Sequence, residues 1–271
     1  MIDEIIQGDC LDLLPDIPAG SVDLIFTDPP YITALADIYK GWNGLDWGRL
    51  GSEFDRILKP SGQVALFADF KTAVEITNAL DKWFKFRFFW IWQKPNGQPV
   101  NFQKAPMRET ELIAVYSKRK SRLKDLTFNW REIATVGEAY KRKFDRQNRT
   151  RKAIRPYVTV NDGYRYPREI LYFPTKCNLP LTERTSHPTQ KPIDLCVYII
   201  KALSNPGDLV CDPFTGSGSI PLSAYRLGRR FIAIEREAEY FRLAEIRINA
   251  EKSQGNLFRQ GEIDFEYQTI N

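Results

Sequence analysis

An acidic residue, two prolines and a tyrosine stand together at Asp28-Pro29-Pro30-Tyr31, directly after a short apolar run. Such a run predicts a buried strand, and α/β proteins bind ligands beyond the carboxyl ends of their strands. Proline fixes φ and lacks an N–H, so this loop is stiff and offers carbonyl acceptors. Acceptors beside an aromatic face suit an amino group on a flat ring. A rigid turn with a capping aspartate is the alternative interpretation.

A second candidate site is the glycine-rich segment Asp-Pro-Phe-Thr-Gly-Ser-Gly-Ser at 212–219, between a predicted strand and a predicted helix. Gly216 and Gly218 permit a tight turn and a close ligand approach at the helix N-terminus. Glu235 ends the following predicted strand, about 20 residues on, where an acidic residue can bind ribose hydroxyls. The pattern favours an adenosine-type cofactor, and a turn that serves only helix packing is the alternative. The sequence has no GxxxxGK[ST] motif, so a nucleoside-triphosphate P-loop is not supported.

Apolar runs alternate with helical patterns, which predicts a parallel α/β sheet that would position both sites. Predicted strands cover 22–26, 64–67, 86–93, 112–116, 208–211 and 231–235. Predicted helices cover 50–58, 72–82, 192–203, 219–227 and 238–252. Periodicity weakens between them, so the pattern indicates one sheet interrupted by an excursion at 118–186.

The composition excludes several kinds of chemistry. The 271 residues contain no apolar run as long as the ~20 residues of a membrane span, and the acidic N-terminus does not resemble a signal peptide. The four cysteines form no CxxC pair, so we expect reduced thiols and a cytoplasmic protein. The single histidine, His187, excludes a multi-histidine metal centre, and no metal is expected.

Charge is distributed unevenly along a chain whose formal net charge is +5. Residues 117–155 carry 14 Lys and Arg against 4 Asp and Glu, hence +10, which leaves −5 for the remainder. A basic segment on an acidic body indicates a polyanion partner, and aromatic residues among the charges could stack on bases. A solvated surface segment is the alternative. The residues predicted to bind nucleic acid are Lys118, Arg119, Lys120, Arg122, Lys141, Arg142, Lys143, Arg146, Arg149 and Arg151.

Taken together, the motifs resemble those of the amino-group DNA methyltransferases, which transfer a methyl group from S-adenosylmethionine to adenine N6 or cytosine N4. The Asp-Pro-Pro-Tyr motif precedes the basic excursion and the glycine-rich turn follows it, an order similar to the circularly permuted β group of this family. The resemblance covers nearly the whole chain outside 118–186. Three further segments carry it: Gly8-Asp9-Cys10, Trp92-Gln93-Lys94-Pro95-Asn96 with Glu111, and Ser186-His187-Pro188-Thr189-Gln190-Lys191-Pro192.

The resemblance implies a Rossmann-like methyltransferase sheet, mostly parallel with one antiparallel strand. It divides the chain into a catalytic and cofactor-binding domain at 1–117 and 187–253, a target-recognition insert at 118–186 and a C-terminal tail at 254–271. We also expect residues 33–43 to form a mobile loop over the site.

It also implies roles for individual residues. Asp28 and the Pro29 carbonyl accept hydrogen bonds from the target amino group, and Tyr31 stacks on the extruded base. The imidazole of His187 is not needed for this chemistry, so a structural or polar-contact role is predicted for it. The catalytic loop comprises Asp28, Pro29, Pro30 and Tyr31. In the cofactor pocket, Asp9 and Cys10 flank the adenine, Glu235 binds the ribose, and Thr189 and Lys191 lie near the methionine moiety. The other residues of the predicted pocket are Asp28, Asp212, Pro213, Phe214, Gly216, Ser217 and Gly218.

The leading Asp, rather than Ser, favours adenine N6 of double-stranded DNA as the target. The alternatives are cytosine N4, a non-catalytic DNA-binding module that retains the fold, and an RNA or protein-amide methyltransferase. The resemblance implies a bacterial, archaeal or phage-encoded enzyme. It leaves open whether the protein forms a homodimer and whether a restriction endonuclease accompanies it.

Overall fold

Eight strands form the central sheet in the computed structural model, which describes residues 2–30, 44–98, 104–144 and 157–253. They are β1 (Glu4–Gln7), β2 (Val22–Thr27), β3 (Leu58–Ala68), β4 (Phe84–Gln98), β5 (Arg108–Lys118), β10 (Ile170–Tyr172), β11 (Leu209–Asp212) and β12 (Arg230–Glu235). Four shorter strands pair outside it: β6 (Thr135–Val136) with β9 (Tyr164–Arg165), and β7 (Tyr140–Phe144) with β8 (Tyr157–Asn161). Tyr31, Arg146, Arg149, Arg151, the predicted loop at 33–43 and the predicted tail at 254–271 lie outside the described residues.

The order across the sheet is β1-β12-β11-β2-β3-β5-β4-β10. Strand β5 pairs antiparallel with both β3 and β4, whereas the other neighbours pair parallel. The predicted mostly parallel sheet with one antiparallel strand is therefore confirmed. Strands such as β2 and β11 are buried on both faces, which explains why each reads as a continuous apolar run.

Strands β2 and β11 lie side by side at the middle of the sheet although they are far apart in sequence. The Thr27 hydroxyl at the end of β2 donates to Asp212 Oδ1 at the end of β11, 2.6 Å away and 185 residues along the chain. The strand that precedes the Asp-Pro-Pro loop is thus the neighbour of the strand that precedes the glycine-rich turn. The two loops therefore meet in space, with the Asp-Pro-Pro loop first in the chain and the glycine-rich turn second.

Helices cover both faces of the sheet. The α-helices of the described ranges are α1 (Cys10–Leu13), α2 (Trp47–Ile57), α3 (Phe70–Leu80), α4 (Ile193–Leu203), α5 (Ser219–Arg226) and α6 (Ala238–Ser253). One face packs against α2 and α3 through side chains such as Leu50, Phe54 and Ile76. The other face packs against α4 and α5 through Leu195 and Leu222. Burial of apolar surface on both sides is the main stabilising contribution to such a three-layer fold.

The predicted strands and helices each match an observed element, with bounds that differ by a few residues. The largest difference is at β3, which begins at Leu58, six residues before the predicted start and at the last residue of a predicted helix. The sequence missed β1 and α1, because each spans only four residues and carries too short an apolar pattern.

The predicted insert is attached to the body at several points. The Gln63 side chain donates to the Thr127 carbonyl at 2.7 Å, and the Asn129 N–H donates to the Ala202 carbonyl at 2.8 Å. Strand β10 extends the main sheet by pairing with β4. The two small strand pairs, β6–β9 and β7–β8, lie between these attachments, and the domain boundaries at 118 and 186 stay a prediction.

Candidate active site

A cavity of about 500 Å³ opens at the carboxyl edge of the sheet. The register explains why the predicted segments meet there, since Gln7 lies opposite Glu235 and Cys211 lies opposite Ile25. The loops that follow β1, β2, β11 and β12 consequently leave the sheet at one edge. The predicted residues that line the cavity are Asp9, Cys10, Asp28, Pro29, Pro30, Thr189, Lys191, Pro213, Phe214, Gly216, Ser217 and Glu235.

The Asp28 carboxylate is held by the Lys191 ammonium, which donates to Asp28 Oδ2. Lys191 Nζ also lies 3.2 Å from Glu111 Oε1, and Lys94 Nζ lies 2.8 Å from Glu111 Oε2. Burial alone would lower the pKa of Lys191, but the adjacent Asp28 and Glu111 carboxylates outweigh it and raise that pKa. The resemblance implies that Lys191 lies near the methionine end of the cofactor, and this role stays a prediction. In the structure, Lys191 pairs with Asp28, the predicted catalytic aspartate.

Asp212 lies behind the cavity wall. Its carboxylate accepts hydrogen bonds from the Thr27 hydroxyl at 2.6 Å and the Thr215 hydroxyl at 2.8 Å. Burial raises the pKa of Asp212 to about 7, with the hydroxyl donors opposing that shift. Its position joins the base of the glycine-rich turn to the strand that carries Asp28, so it shapes the pocket indirectly.

The glycine-rich turn itself requires two left-handed residues. Gly216 has φ +51°, and a Cβ there would lie 2.8 Å from His187 Nε2. Gly218 has φ +78° at the N-cap of α5, and a Cβ there would lie 2.9 Å from the Cβ of Ala244 in α6. Gly216 therefore borders the cavity, while Gly218 allows α5 and α6 to pack closely behind it.

Glu235 and Asp9 lie on the acidic side of the cavity. Glu235 Oε2 accepts from the Gly216 N–H at 2.7 Å and Oε1 from the Glu237 N–H at 2.8 Å. Burial raises the pKa of Glu235 above its usual value. A carboxylate has about four acceptor positions, so Glu235 retains acceptor capacity for hydroxyl groups. Asp9 caps α1 by accepting from the Leu11 N–H at 2.9 Å.

Two groups near the cavity could offer other chemistry, and both are uncharged. Burial lowers the pKa of His187 to about 4, with the Lys191 charge as the next cause. The His187 ring packs 4.3 Å from the ring centroid of Tyr240, and its Nδ1 accepts from the Thr189 N–H at 3.3 Å. Burial likewise raises the pKa of the Cys10 thiol to about 12. Neither group is therefore set up as a base or a thiolate nucleophile.

The cavity wall includes residues that sequence reasoning missed. Asp69 follows β3 at the same edge and caps α3, and Arg108 lies 3.5 Å from it at the start of β5. The position of Asp69 directly after a predicted strand was a usable signal. Arg108 had none, because only the antiparallel direction of β5 brings its first residue to this edge.

The residues predicted to bind nucleic acid fall into two places within the described part of the chain. In β5, Leu112 pairs with Ala68 of β3 near the cavity, whereas Lys118 pairs with Phe84 of β4 at the far edge of the sheet. At 3.4 Å per residue, Leu112 and Lys118 lie about 20 Å apart. Three of the residues at that far edge form ion pairs: Lys118, Arg119 and Arg122. The structure thus brings Lys118, Arg119, Lys120 and Arg122 away from the cavity. Exposed residues of the β7–β8 hairpin form the other group: Lys141, Arg142 and Lys143.

Part of the aromatic character of the insert is used within the protein. The Arg131 guanidinium lies 4.8 Å from the ring centroid of Trp130 and 4.9 Å from that of Tyr164, and it pairs with Asp162 at 2.9 Å. The Phe128 ring packs against the core residue Trp90. Phe128 and Trp130 both pack against Tyr166, so these rings form a cluster next to β9.

Within the described ranges, no helix is long and apolar enough to cross a membrane. The same part of the chain holds no group of three or more His, Cys, Asp and Glu side chains that could bind a metal ion.

The three-layer sheet, the glycine-rich turn with its acidic partner and the Asp-Pro-Pro loop define a Rossmann-like methyltransferase. The sequence model of the N6_N4_Mtase family, described as DNA methylase, matches residues 22–246. The chain belongs to this family of DNA methyltransferases, which act on amino groups of bases.

Individual relatives agree with this assignment. The chain is 32% identical over 253 residues to the DNA adenine methyltransferase YhdJ of Escherichia coli K12, covering 90% of this chain and 82% of the relative. It is 27% identical over 280 residues to the type II methyltransferase M.HinfI of Haemophilus influenzae, covering 94% and 70%.

Solved structures share the architecture. The M1.HpyAVI–SAM complex has a TM-score of 0.59 at 25% identity and covers 91% of this chain and 99% of that chain. The cytosine-N4-specific PvuII DNA methyltransferase has a TM-score of 0.62 at 19% identity, covering 90% and 85%, which shows the fold alone.

Proposed function

We propose that this DNA methyltransferase transfers a methyl group from S-adenosylmethionine to the N6 amino group of an adenine in double-stranded DNA. The observation that carries the proposal is the Asp28-Pro29 loop, whose carboxylate borders the same cavity as the glycine-rich turn. The relative named as an adenine methyltransferase favours adenine over cytosine.

The residues of the cavity fit S-adenosylmethionine. The cavity volume of about 500 Å³ is in the range of small-molecule sites, roughly 300–1,000 Å³. Glu235 offers acceptors for ribose hydroxyls, and the half-buried Phe214 ring with Cys10 offers apolar surface for the adenine. When bound, the cofactor supplies an electrophilic methyl group on a sulfonium.

The role of Asp28 and Pro29 is to orient the target nitrogen. An exocyclic amine is a poor nucleophile, because its lone pair is delocalised into the ring. Two acceptors on its N–H groups favour a more tetrahedral nitrogen and direct the lone pair outward. Positioning and electrostatics of this kind are sufficient for a reactive methyl donor, and no strong base is needed. Asp28 or water can take the proton that the methylated nitrogen releases.

The target base must leave the helical stack to reach the cavity, at a cost of a few kcal/mol. Tyr31, which lies outside the described residues, stays predicted to replace the stacking of the extruded base, worth about 1–3 kcal/mol for a base on an aromatic ring. Phosphate contacts from the β7–β8 hairpin would contribute affinity that falls with salt.

The test is transfer of a labelled methyl group to mixed-sequence DNA, followed by digestion and separation of the modified nucleosides. We expect label in N6-methyladenine. Label in N4-methylcytosine would replace the adenine assignment, and absence of label in any DNA would contradict enzymatic activity and favour a binding module.

A pair of variants tests the assigned loop. Asp28→Ala should abolish transfer while DNA binding persists. The matched control is Asp16→Ala, an exposed aspartate outside the cavity, which should transfer like the wild type. Equal activity of Asp28→Ala and wild type would contradict the proposed mechanism.

A further inference from the structure

Four charged side chains alternate in sign along one chain of contacts at the floor of the site. Asp28 contacts Lys191, Lys191 contacts Glu111 at 3.2 Å, and Glu111 contacts Lys94 at 2.8 Å. The inner pair is nearly inaccessible, since the side chain of Lys191 is 9% exposed and that of Glu111 is 7% exposed. All four side chains border the cavity, and Asp28 is the member that belongs to the proposed acceptor loop.

The sheet holds these groups in place. Glu111 lies on β5 and Lys94 on β4, while Lys191 lies two residues before the start of α4. Lys191 Nζ lies 4.8 Å from the ring centroid of Phe67, and Lys94 Nζ lies 4.9 Å from that of Trp92. The Trp92 indole N–H donates to the Phe173 carbonyl at 2.9 Å. The contacts therefore come from fixed elements and not from exposed side chains.

The chemistry requires that Asp28 remain an acceptor. A protonated carboxyl would present a donor to the target amino group and could not accept from both lone-pair directions. A cation at Lys191 favours the ionised form of a partly buried carboxylate. Without that cation, Asp28 and Glu111 would be neighbouring carboxylates with no charge between them, and one would tend to bind a proton.

We infer that Lys191 and Glu111 are positioning residues that keep the Asp28 carboxylate ionised and oriented toward the target amino group. In this arrangement Lys191 acts on Asp28, and Glu111 and Lys94 in turn hold Lys191. The inference rests on the proposed function, because it assigns the network to the same methyl transfer.

Other charged or titratable groups act on Asp28 from the neighbouring elements. Asp212 and Cys196 interact with it electrostatically, and Asp69 and Arg108 share the cavity wall. Among all these groups, the one that forms a direct ion pair with Asp28 is Lys191.

The first test is the pH profile of single-turnover methyl transfer by Lys191→Met. We expect the rate of transfer at pH 7 to fall about 10- to 100-fold. The ionised fraction of Asp28 falls tenfold for each unit by which its pKa in the variant exceeds the pH. The loss should diminish as pH rises. Lys191→Arg retains the charge and should retain the wild-type pH profile.

The matched control is Lys59→Met, which removes a lysine from the Lys59–Asp23 pair at 2.8 Å. Asp23 lies near the start of β2, whereas Asp28 follows the end of that strand. This variant should show wild-type rates and an unchanged pH profile.

The second test is the double variant Lys191→Met with Glu111→Gln. Removing the Glu111 charge relieves repulsion of Asp28, so the double variant should be at least about tenfold more active at pH 7 than Lys191→Met, which corresponds to one pKa unit. If Lys191→Met fails to fold, the double variant, which removes one cation and one anion together, is compared with wild type, and its loss of transfer at pH 7 should again diminish as pH rises. Thermal unfolding and equilibrium dialysis of S-adenosylmethionine accompany each variant.

The outcomes separate the inference from the proposed function. A Lys191→Met profile parallel to that of wild type, with a raised dissociation constant for S-adenosylmethionine, would overturn the inference and return Lys191 to cofactor binding. A double variant no more active than the single variant would also overturn it. Absence of transfer by the wild-type protein would instead overturn the proposed function, and this inference with it.

Discussion

Replacing Asp212 with asparagine should change how the stability of the protein depends on pH. The residue is 1% exposed, and burial raises the pKa of its carboxyl group from 3.8 to about 7. Between these values the folded state retains a proton that the unfolded state releases, so wild-type stability falls as pH rises through this window. Asparagine carries no charge at any of these pH values and removes that dependence.

The magnitude follows from the shift. Each pKa unit corresponds to about 1.4 kcal/mol, and about two units of the window lie above pH 5. The free energy of unfolding of Asp212→Asn should therefore rise relative to wild type by about 3 kcal/mol from pH 5 to pH 8. Both Thr27 and Thr215 can still bond to the amide, so the difference at pH 5 should stay within about 1 kcal/mol.

The measurement is urea unfolding of both proteins between pH 5 and pH 8, followed by the fluorescence of the chain's 6 tryptophans. Glu75→Gln, at an exposed position of α3, is the control and should follow the wild-type profile. Groups common to both proteins cancel in the difference. A difference between wild type and Asp212→Asn that stays constant with pH would refute the reasoning.

Three further predictions follow from the same geometry. Gly218→Ala should destabilise the protein by about 1–3 kcal/mol more than Gly207→Ala, because both have positive φ but only Gly218 places a Cβ 2.9 Å from Ala244; equal shifts in urea midpoint would contradict the steric explanation. His187 has a pKa lowered to about 4, so wild type should lose up to about 3 kcal/mol of stability relative to His187→Asn as pH falls from 6.5 to 4; parallel acid-unfolding curves would count against a buried neutral imidazole. Replacing the exposed Lys141, Arg142 and Lys143 of β7 with alanine should reduce the slope of log affinity for DNA against log salt concentration by about 0.9 for each phosphate no longer neutralised. Fluorescence anisotropy measures the affinity, and an unchanged slope would show that the phosphate-binding residues lie elsewhere.

The sequence by itself determined the class of fold and the core of the site. Asp28 and the 212–219 turn follow apolar runs, and parallel strands bring their carboxyl ends to one edge, so local pattern was enough to predict that they meet. The loop stiffness of two prolines and the backbone freedom of Gly216 are also local properties.

Only the tertiary structure decided which charged side chains form ion pairs within that site. The contact between Lys191 and Asp28 joins residues 163 positions apart, and it depends on where α4 begins relative to β2. The direction of β5 brings Glu111 to the site and takes Lys118 to the opposite edge, although seven positions separate them and both belong to one strand. Strand direction and register follow from packing across the whole sheet. A charge pattern along the chain therefore cannot reveal which charges face the cavity.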